Sequence, residues 1–230
     1  MDIETPKTIV DTLIISDIHL GYAFSQTERL IKALVGYEFK QLILNGDIFD
    51  DLNFNRLHSD HWDVLSYFRQ LTKDHKVVWV VGNHDGQAGI MSRLLGVKVY
   101  NHYFWNVGKK RYLAIHGHQF DRFMSRNPII SNVATIVYDL IRKYRRDGTA
   151  FSRWMMEHNR SWLRLSDEVA DKAINYAKLR GVSVVFCGHT HLARSLKRGG
   201  VNYYNSGCWT ETPSHLITIT GNKVETIAYS

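Results

Sequence analysis

The chain reads as an α/β protein whose sheet is covered by helices, and three observations predict it. Apolar, β-branched runs alternate with stretches of helical periodicity along the first part of the chain. Four of five short polar blocks directly follow such a run, at Ile9 to Ile15, Leu42 to Leu44, Val77 to Val81 and Val182 to Phe186; the fifth follows Tyr112 to Ile115. A length of 230 residues, 44% hydrophobic and 22% charged, is enough to bury one sizeable core.

The β-branched runs predict strands over 8–16, 41–45 and 76–81, separated by helices near 25–35 and 60–71. From Lys98 the texture changes to short strands over 98–100, 103–107 and 111–116, with Gly108-Lys109-Lys110 as a hairpin turn. Val182 to Phe186 reads as one more buried strand. The end is β-rich, with strands over 201–205, 216–220 and 223–228, the last two joined by Gly221-Asn222. Residues 122–180 differ from both ends. Ile129, Val133, Ile136, Val137, Leu140, Ile141 and Tyr144 recur at three- and four-residue intervals, and Gly148 breaks the pattern. A second helical stretch carries Phe151, Trp154, Met155, Trp162, Leu165 and Val169. Most of these side chains read as a helical hairpin packed on the sheet. Lying between two polar blocks, the segment also suits a cap over a pocket. The expected organisation is a single domain over 1–230 with a helical cap insertion over 122–180.

Only three prolines, no internal repeat and no low-complexity run argue against separate domains on a disordered linker. Met1 to Pro6 is acidic and polar rather than basic then apolar, and no run nears the roughly 18 apolar residues that span a bilayer. Two cysteines, Cys187 and Cys208, cannot build a disulfide framework and read as reduced thiols. A nucleophilic role for Cys187 is the poorer reading. The expected location is cytoplasmic. Arg122 to Arg164 holds nine Lys or Arg against three acids, most of the net charge of +7. That segment reads equally as a solvated helical surface and as a patch for an anionic substrate, nucleic acid or acidic lipid.

The five blocks carry the chemistry. They are Asp17-Ile18-His19, Gly46-Asp47, Gly82-Asn83-His84-Asp85, His116-Gly117-His118 and Gly188-His189-Thr190-His191. A strand that ends in Asp, His or Asn delivers that side chain to the rim of a sheet, and five such ends build one pocket suited to divalent metal ions. Asp17 and His19 are expected to alternate along an extended strand end and turn toward one ion. Gly46 lets the chain bend ahead of Asp47, a carboxylate able to bridge two ions. Asn83 offers a neutral oxygen, and His84 beside it is free for other work. His189 and His191, two apart, suit an extended loop. Singly, each of these histidines is as easily structural, and Asp47 as easily a turn or helix-cap residue.

In this order the blocks resemble the calcineurin-like metallophosphoesterase superfamily, whose pattern D-x-H, G-D, G-N-H-[DE], H and G-H-x-H is matched in full between Leu13 and His191. The resemblance implies a two-sheet β-sandwich flanked by helices and a centre of two divalent ions, manganese first, with iron, zinc or cobalt as alternatives. Asp17, His19, Asp47 and His191 would hold one ion; Asp47, Asn83, His116 and His189 would hold the other. His118 is the alternative to His116. Two ions about 3.5–4 Å apart acidify a bridging water, whose hydroxide attacks phosphorus in line. His84 would protonate the leaving oxygen or brace the phosphate, with Asp85 orienting it.

Within the superfamily, three features resemble the UDP-2,3-diacylglucosamine diphosphatase group of lipid A synthesis. They are Ser16 to Gly21 with Gly46-Asp47-Ile48-Phe49-Asp50, His116 to Asp121 opening into a basic insertion, and Asn205-Ser206-Gly207-Cys208-Trp209 before a β-hairpin tail. The resemblance implies an anionic phosphoester substrate, a nucleotide-linked lipid in that group, with acyl chains received by the insertion and peripheral contact at the inner face of the membrane. Asp121, Arg153, Arg160 and Arg164 are the candidate substrate contacts. The chain departs from that group at His84, where its members carry Arg, and in the residues after His116. A phosphodiesterase or nucleotidase acting on soluble small molecules is the alternative. A nuclease is less expected, because nucleic acid needs exposed aromatics along the basic groove. An inactive metal-binding scaffold would lack ligands, and every expected ligand is present.

Overall fold

The computed structural model describes residues 6–86, 88–121 and 160–230. The chain begins β1 (Thr8–Ile15), α1 (Thr27–Val35), β2 (Tyr37–Asn45), α2 (Ser59–Leu71), β3 (Lys76–Val80), α3 (Ala88–Leu95) and β4 (Lys98–Tyr100). It continues β5 (Tyr103–Val107), β6 (Lys110–Ala114), α4 (Arg160–Leu179), β7 (Val184–Cys187) and β8 (Arg194–Arg198). The last strands are β9 (Val201–Asn205), β10 (Ser214–Thr220) and β11 (Lys223–Tyr229).

The βα alternation of the first half produces parallel pairing, β1 with β2, β2 with β3 and β3 with β4. β10 and β11 close the other side antiparallel, completing a six-stranded sheet in the order β11-β10-β1-β2-β3-β4. The second sheet runs β5-β6-β7-β9-β8, with a parallel centre and antiparallel edges. Because side chains alternate across a strand, each sheet has two apolar faces to cover. Ile14, Ile43, Val78 and Ile217 of the first sheet meet Tyr112, Ala114, Val184 and Phe186 of the second. The opposite face of the first sheet, with Leu13, Ile15, Leu42 and Leu44, is covered by α1 and α2 through Leu30, Leu34, Val64 and Phe68. On the outer face of the second sheet, Ala170, Ala173, Ile174 and Ala177 of α4 pack against Leu113, Val185 and Tyr203. The layers therefore run helix, sheet, sheet, helix, as the resemblance implies.

Three elements differ from expectation. β2 begins at Tyr37 rather than at residue 41, because it pairs with β1 from Thr8 onward and exposes Glu38 and Lys40 while burying Phe39. α3 was not anticipated. Nor was β8, whose sequence Arg-Ser-Leu-Lys-Arg has no apolar run. It is an edge strand held to β9 by backbone pairing and to α4 by Arg194 on Asp167 (2.9 Å) and Arg198 on Asp171. Of the segment expected as an insertion, the stripe from Ile129 to Tyr144 lies outside the described residues, as do Phe151, Trp154 and Met155. Its last part, α4, is the outer layer on the second sheet. No helix among the described residues is long and apolar enough to cross a membrane.

Between the sheets, the buried ring of Phe186 stacks on Trp105 and Tyr204, each 5.6 Å away between centroids. Phe186→Ala is expected to lower stability by about 3–5 kcal/mol, read as a drop in the urea midpoint at unchanged slope. A loss under 1 kcal/mol would mean that the sheets do not depend on this contact.

Candidate metal centre

Each polar block begins where a strand runs out. β1 ends at Ile15, β2 at Asn45, β3 at Val80, β6 at Ala114 and β7 at Cys187. The chain then turns sharply. Among the described residues, five non-glycine residues have left-handed backbone: Asp17 (φ 53°), His19 (52°), Asp47 (52°), His189 (66°) and His191 (55°). All five are expected ligands. Their turned backbone corrects the extended geometry expected for Asp17-Ile18-His19 and for the His189–His191 loop. In an extended strand residues two apart share a face; here paired left-handed residues aim both side chains at one point while Ile18 stays in the core. Each such conformation is unfavourable for a side chain and persists where surroundings over-determine it.

The blocks also approach one another too closely for side chains at three glycines. A Cβ on Gly46 would sit 2.2 Å from Nδ1 of His116, one on Gly82 would sit 2.1 Å from Oδ1 of Asp47, and one on Gly188 would sit 2.3 Å from Oδ2 of Asp17. These glycines are small so that a neighbouring block's donor can pass.

Two groups of donors result, Asp17 with His19 and His191, and Asp47 with His116 and His189; within each group the donor atoms lie within 4.8 Å of one another. In the first, Nε2 of His19 faces Nε2 of His191 at 3.2 Å, and that same His191 nitrogen is 3.3 Å from Oδ1 of Asp17. In the second, Nε2 of His116 is 3.1 Å from Oδ2 of Asp47. Nδ1 of His116 donates to the carbonyl of Asn45 at 2.8 Å, so on the neutral ring Nε2 carries a lone pair. A lone pair facing a buried carboxylate is repulsive unless a cation or proton lies between. Burial opposes a charge on His116, but Asp47 and Asp17 outweigh it and lift the ring to about 9. Burial likewise pushes the Asp47 carboxyl up, and His116, then His19 and His84, bring it well below the ordinary carboxylate range. Hard carboxylate oxygens and imidazole nitrogens converging in this way fit divalent ions.

His118, the alternative to His116, opens a short 3₁₀ turn, His118–Phe120, and its ring lies tilted near that of His116, 5.5 Å between centroids. Burial and the neighbouring His116 depress its ring to about 4. Asn83 is exposed. The backbone N–H of His84 donates to Oδ1 of Asp47 (2.9 Å), and its ring donates from Nδ1 to the carbonyl of Asp50 (2.6 Å). Its Nε2 is thereby turned away from the backbone.

Asp85 does something other than orient His84. Its buried carboxylate accepts N–H bonds from Asp47 (2.9 Å), Ile48 (2.7 Å), Phe49 (3.1 Å) and Gly82 (2.8 Å), and one from Nε1 of Trp79 (3.1 Å). It ties the exit of β2 to the exit of β3.

Asp121, expected on the substrate side, is 4% exposed and faces Nε2 of His189 at 3.0 Å. Arg160 and Arg164 are exposed on the first turns of α4, and Arg153 lies outside the described residues. Trp162 of α4 donates from Nε1 to the carbonyl of Thr190 (3.0 Å), fastening the helix to the histidine loop. Both cysteines are buried and unpaired, and burial pushes the Cys187 thiol far up, which removes it as a nucleophile. Two positioning groups escaped sequence reasoning. Asp50 sits 3.4 Å from Nδ1 of His19, and its presence in the Gly46-Asp47-Ile48-Phe49-Asp50 block was the available signal. Asn205 donates to the carbonyl of Gly188 (2.6 Å) and to Thr190 Oγ1 (3.1 Å), bracing the histidine loop from β9.

Among solved structures, the fold is similar to a novel archaeal phosphodiesterase, at 14% identity over 94% of this chain and 98% of that one, with a TM-score of 0.53. It is similar also to Vps29 from Chaetomium thermophilum, at 13% identity, 97% and 98% coverage and a TM-score of 0.52. The phosphoesterase Yfce from E. coli aligns at 18% identity over 95% and 99%, with a TM-score of 0.49. No curated protein matches the sequence. The model of the calcineurin-like phosphoesterase family matches residues 11–193. That stretch runs from β1 past the second histidine of the last block, and the chain therefore belongs to the calcineurin-like phosphoesterase family.

Proposed function

We propose that this metal-dependent phosphoesterase works with two divalent ions, one on Asp17, His19, Asp47 and His191 and one on Asp47, Asn83, His116 and His189. The observation that carries this reading is the coincidence of left-handed backbone with expected ligands, five of five. When bound, the ions supply Lewis acidity toward phosphoryl oxygens and acidify water near neutral pH. Manganese is the first expectation for their identity.

The chain's own residues do the rest. In this reading Asp47, grouped with His116 and His189, would also reach the first ion. His84 is locked through Nδ1 on the Asp50 carbonyl, so Nε2 is the atom that meets substrate. A neutral imidazole there accepts a hydrogen bond, and a protonated one gives its proton to a leaving oxygen. Asp85 acts through the backbone that carries Asp47 and His84.

For substrate, the finer reading is a pyrophosphate in a nucleotide-linked lipid, UDP-2,3-diacylglucosamine or a close relative. It is supported by the Ser16–Gly21, Gly46–Asp50 and Asn205–Trp209 blocks and by the basic composition of 122–164. In this reading Arg160 and Arg164 face the anionic headgroup, Arg153 assists, and the segment before α4 caps the site within a single domain. Peripheral membrane contact would follow from the same basic residues. His84 favours a second reading, a phosphodiesterase for soluble small molecules, because the lipid A enzymes carry Arg there.

Two outcomes are expected. His84→Ala should lower kcat by about 10²–10⁴ while leaving two ions per chain by elemental analysis; loss of metal in this variant would make His84 a ligand. Chelator-stripped protein reloaded with manganese should cleave UDP-diacylglucosamine in a detergent-sensitive manner and faster than bis(p-nitrophenyl) phosphate. Cleavage of the aryl diester alone would discard the lipid substrate and keep the dimetal centre. Cleavage of neither would set both aside.

A further inference from the structure

We infer that the two ion positions are braced independently, Asp50 with Arg56 holding His19 for one ion and Asp121 holding His189 for the other. This inference rests on the dimetal reading above and deepens it.

His19 presents Nε2 to His191 and Asp17, which leaves Nδ1 on the far side of the ring. Asp50 Oδ1 is 3.4 Å from that nitrogen, and Asp50 Oδ2 is 2.7 Å from a guanidinium nitrogen of Arg56, which also pairs with Asp51. At that distance Nδ1 of His19 is a buried nitrogen with no hydrogen bond, and Asp50 is the carboxylate that faces it. His19, Asp50 and His84 bring ligand atoms within 4.8 Å of one another, the spacing of a third ion position. Two observations argue against one. Arg56 already places a positive charge on Asp50, which would repel a cation there. Nδ1 of His84 is engaged by the Asp50 carbonyl. Asp50 is therefore placed as a brace: pinned by Arg56 and facing Nδ1, it favours the proton of His19 on that nitrogen and leaves Nε2 as the donor.

At the second position the ring is used in the opposite sense. Nε2 of His189 meets Asp121 at 3.0 Å, leaving Nδ1 for the group formed with Asp47 and His116. Asp121 follows the 3₁₀ turn beyond β6, whereas Asp50 follows β2. The two carboxylates thus come from different elements and touch different histidines, so their effects are expected to be separable. A carboxylate on the far nitrogen makes imidazole a better ligand and fixes its orientation; losing it weakens metal binding about 10–100-fold.

The experiment is a calorimetric titration of manganese into chelator-stripped full chain, wild type beside Asp50→Asn, Asp121→Asn, the double variant and Arg56→Gln. Two ions are expected in wild type. Each single Asn variant should keep one ion at wild-type affinity and bind the other about 10–100-fold more weakly. The double variant should weaken both. Arg56→Gln should act in the same direction as Asp50→Asn and add nothing to it. Thermal unfolding of the metal-free variants separates positioning from structure, since a purely structural role would lower the midpoint and leave both affinities unchanged. That result would overturn the inference, as would a single variant that weakens both ions equally. Asp50→Asn that keeps both ions but loses turnover would also overturn it, placing Asp50 on His84. Wild type that binds fewer than two ions would overturn the dimetal reading itself, and this inference with it.

Discussion

The site depends on one buried carboxylate. Asp85 is 1% exposed and collects five N–H donors from two strand exits and a tryptophan. Burial, then the charge of Asp47, push its carboxyl up in pKa, and the converging donors from Gly82, Phe49 and Trp79 oppose them. Three consecutive backbone N–H groups, Asp47 to Phe49, have left their strand and would otherwise be unpaired in the interior. Each buried group left without a partner costs about 1–3 kcal/mol, so the turn that carries Asp47 is stable only while Asp85 faces it. The anion thus substitutes for the next strand's carbonyls and lets the chain leave β2 and turn at Asp47, whose carboxylate groups with His116 and His189.

The left-handed residues follow from the same economy of space. Asp17 and His19 leave positions two apart and converge on one donor group, whereas an extended backbone would keep them on one face but about 6–7 Å apart along the strand. A left-handed residue folds the chain back within two residues, at a cost of order 1–3 kcal/mol each. Surrounding bonds over-determine the turn. The backbone N–H of His189 donates to both oxygens of Asp17 (3.0 and 3.1 Å), Asn205 ties down Gly188, and Trp209 donates to the carbonyl of Asp17 at 2.9 Å. The Asn205–Trp209 turn, which carried part of the family resemblance, is in physical terms a clamp on the first and last blocks.

How much of this was legible depended on whether the signal was local. The strand ends were legible because apolar runs stop abruptly at Asp or His, and the layering was legible from the α/β order. β8 was not, since its charged residues form a strand only through pairing with β9 and ion pairs to α4. The role of Asp85 was misread for a similar reason. Adjacency to His84 in sequence predicted adjacency of function, but its carboxylate turns inward to the backbone of a block 38 residues earlier. Asp121, a candidate substrate contact, also faces His189 from the turn after β6, and that contact was not legible. Each case concerns which way a side chain points after a turn, and residue type does not report that.

The β2 exit shows why the parts cannot drift separately. Within Gly46 to Asp50, Asp47 supplies the carboxylate of the group with His116 and His189, and the N–H groups of Asp47, Ile48 and Phe49 anchor to Asp85. The carbonyl of Asp50 fixes the ring of His84, and its carboxylate lies against His19 and Arg56. A displacement of this turn would move Asp47, the carboxylate that faces His19 and the anchor of the His84 ring together. In-line displacement at phosphorus needs the nucleophile and the leaving-group donor on opposite sides of one atom, a relation that a small misplacement spoils. Tying the backbone of His84 to the Asp47 carboxylate and its ring to the Asp50 carbonyl makes the placement of His84 relative to Asp47 depend on this one turn, although His84 itself comes from the exit of β3.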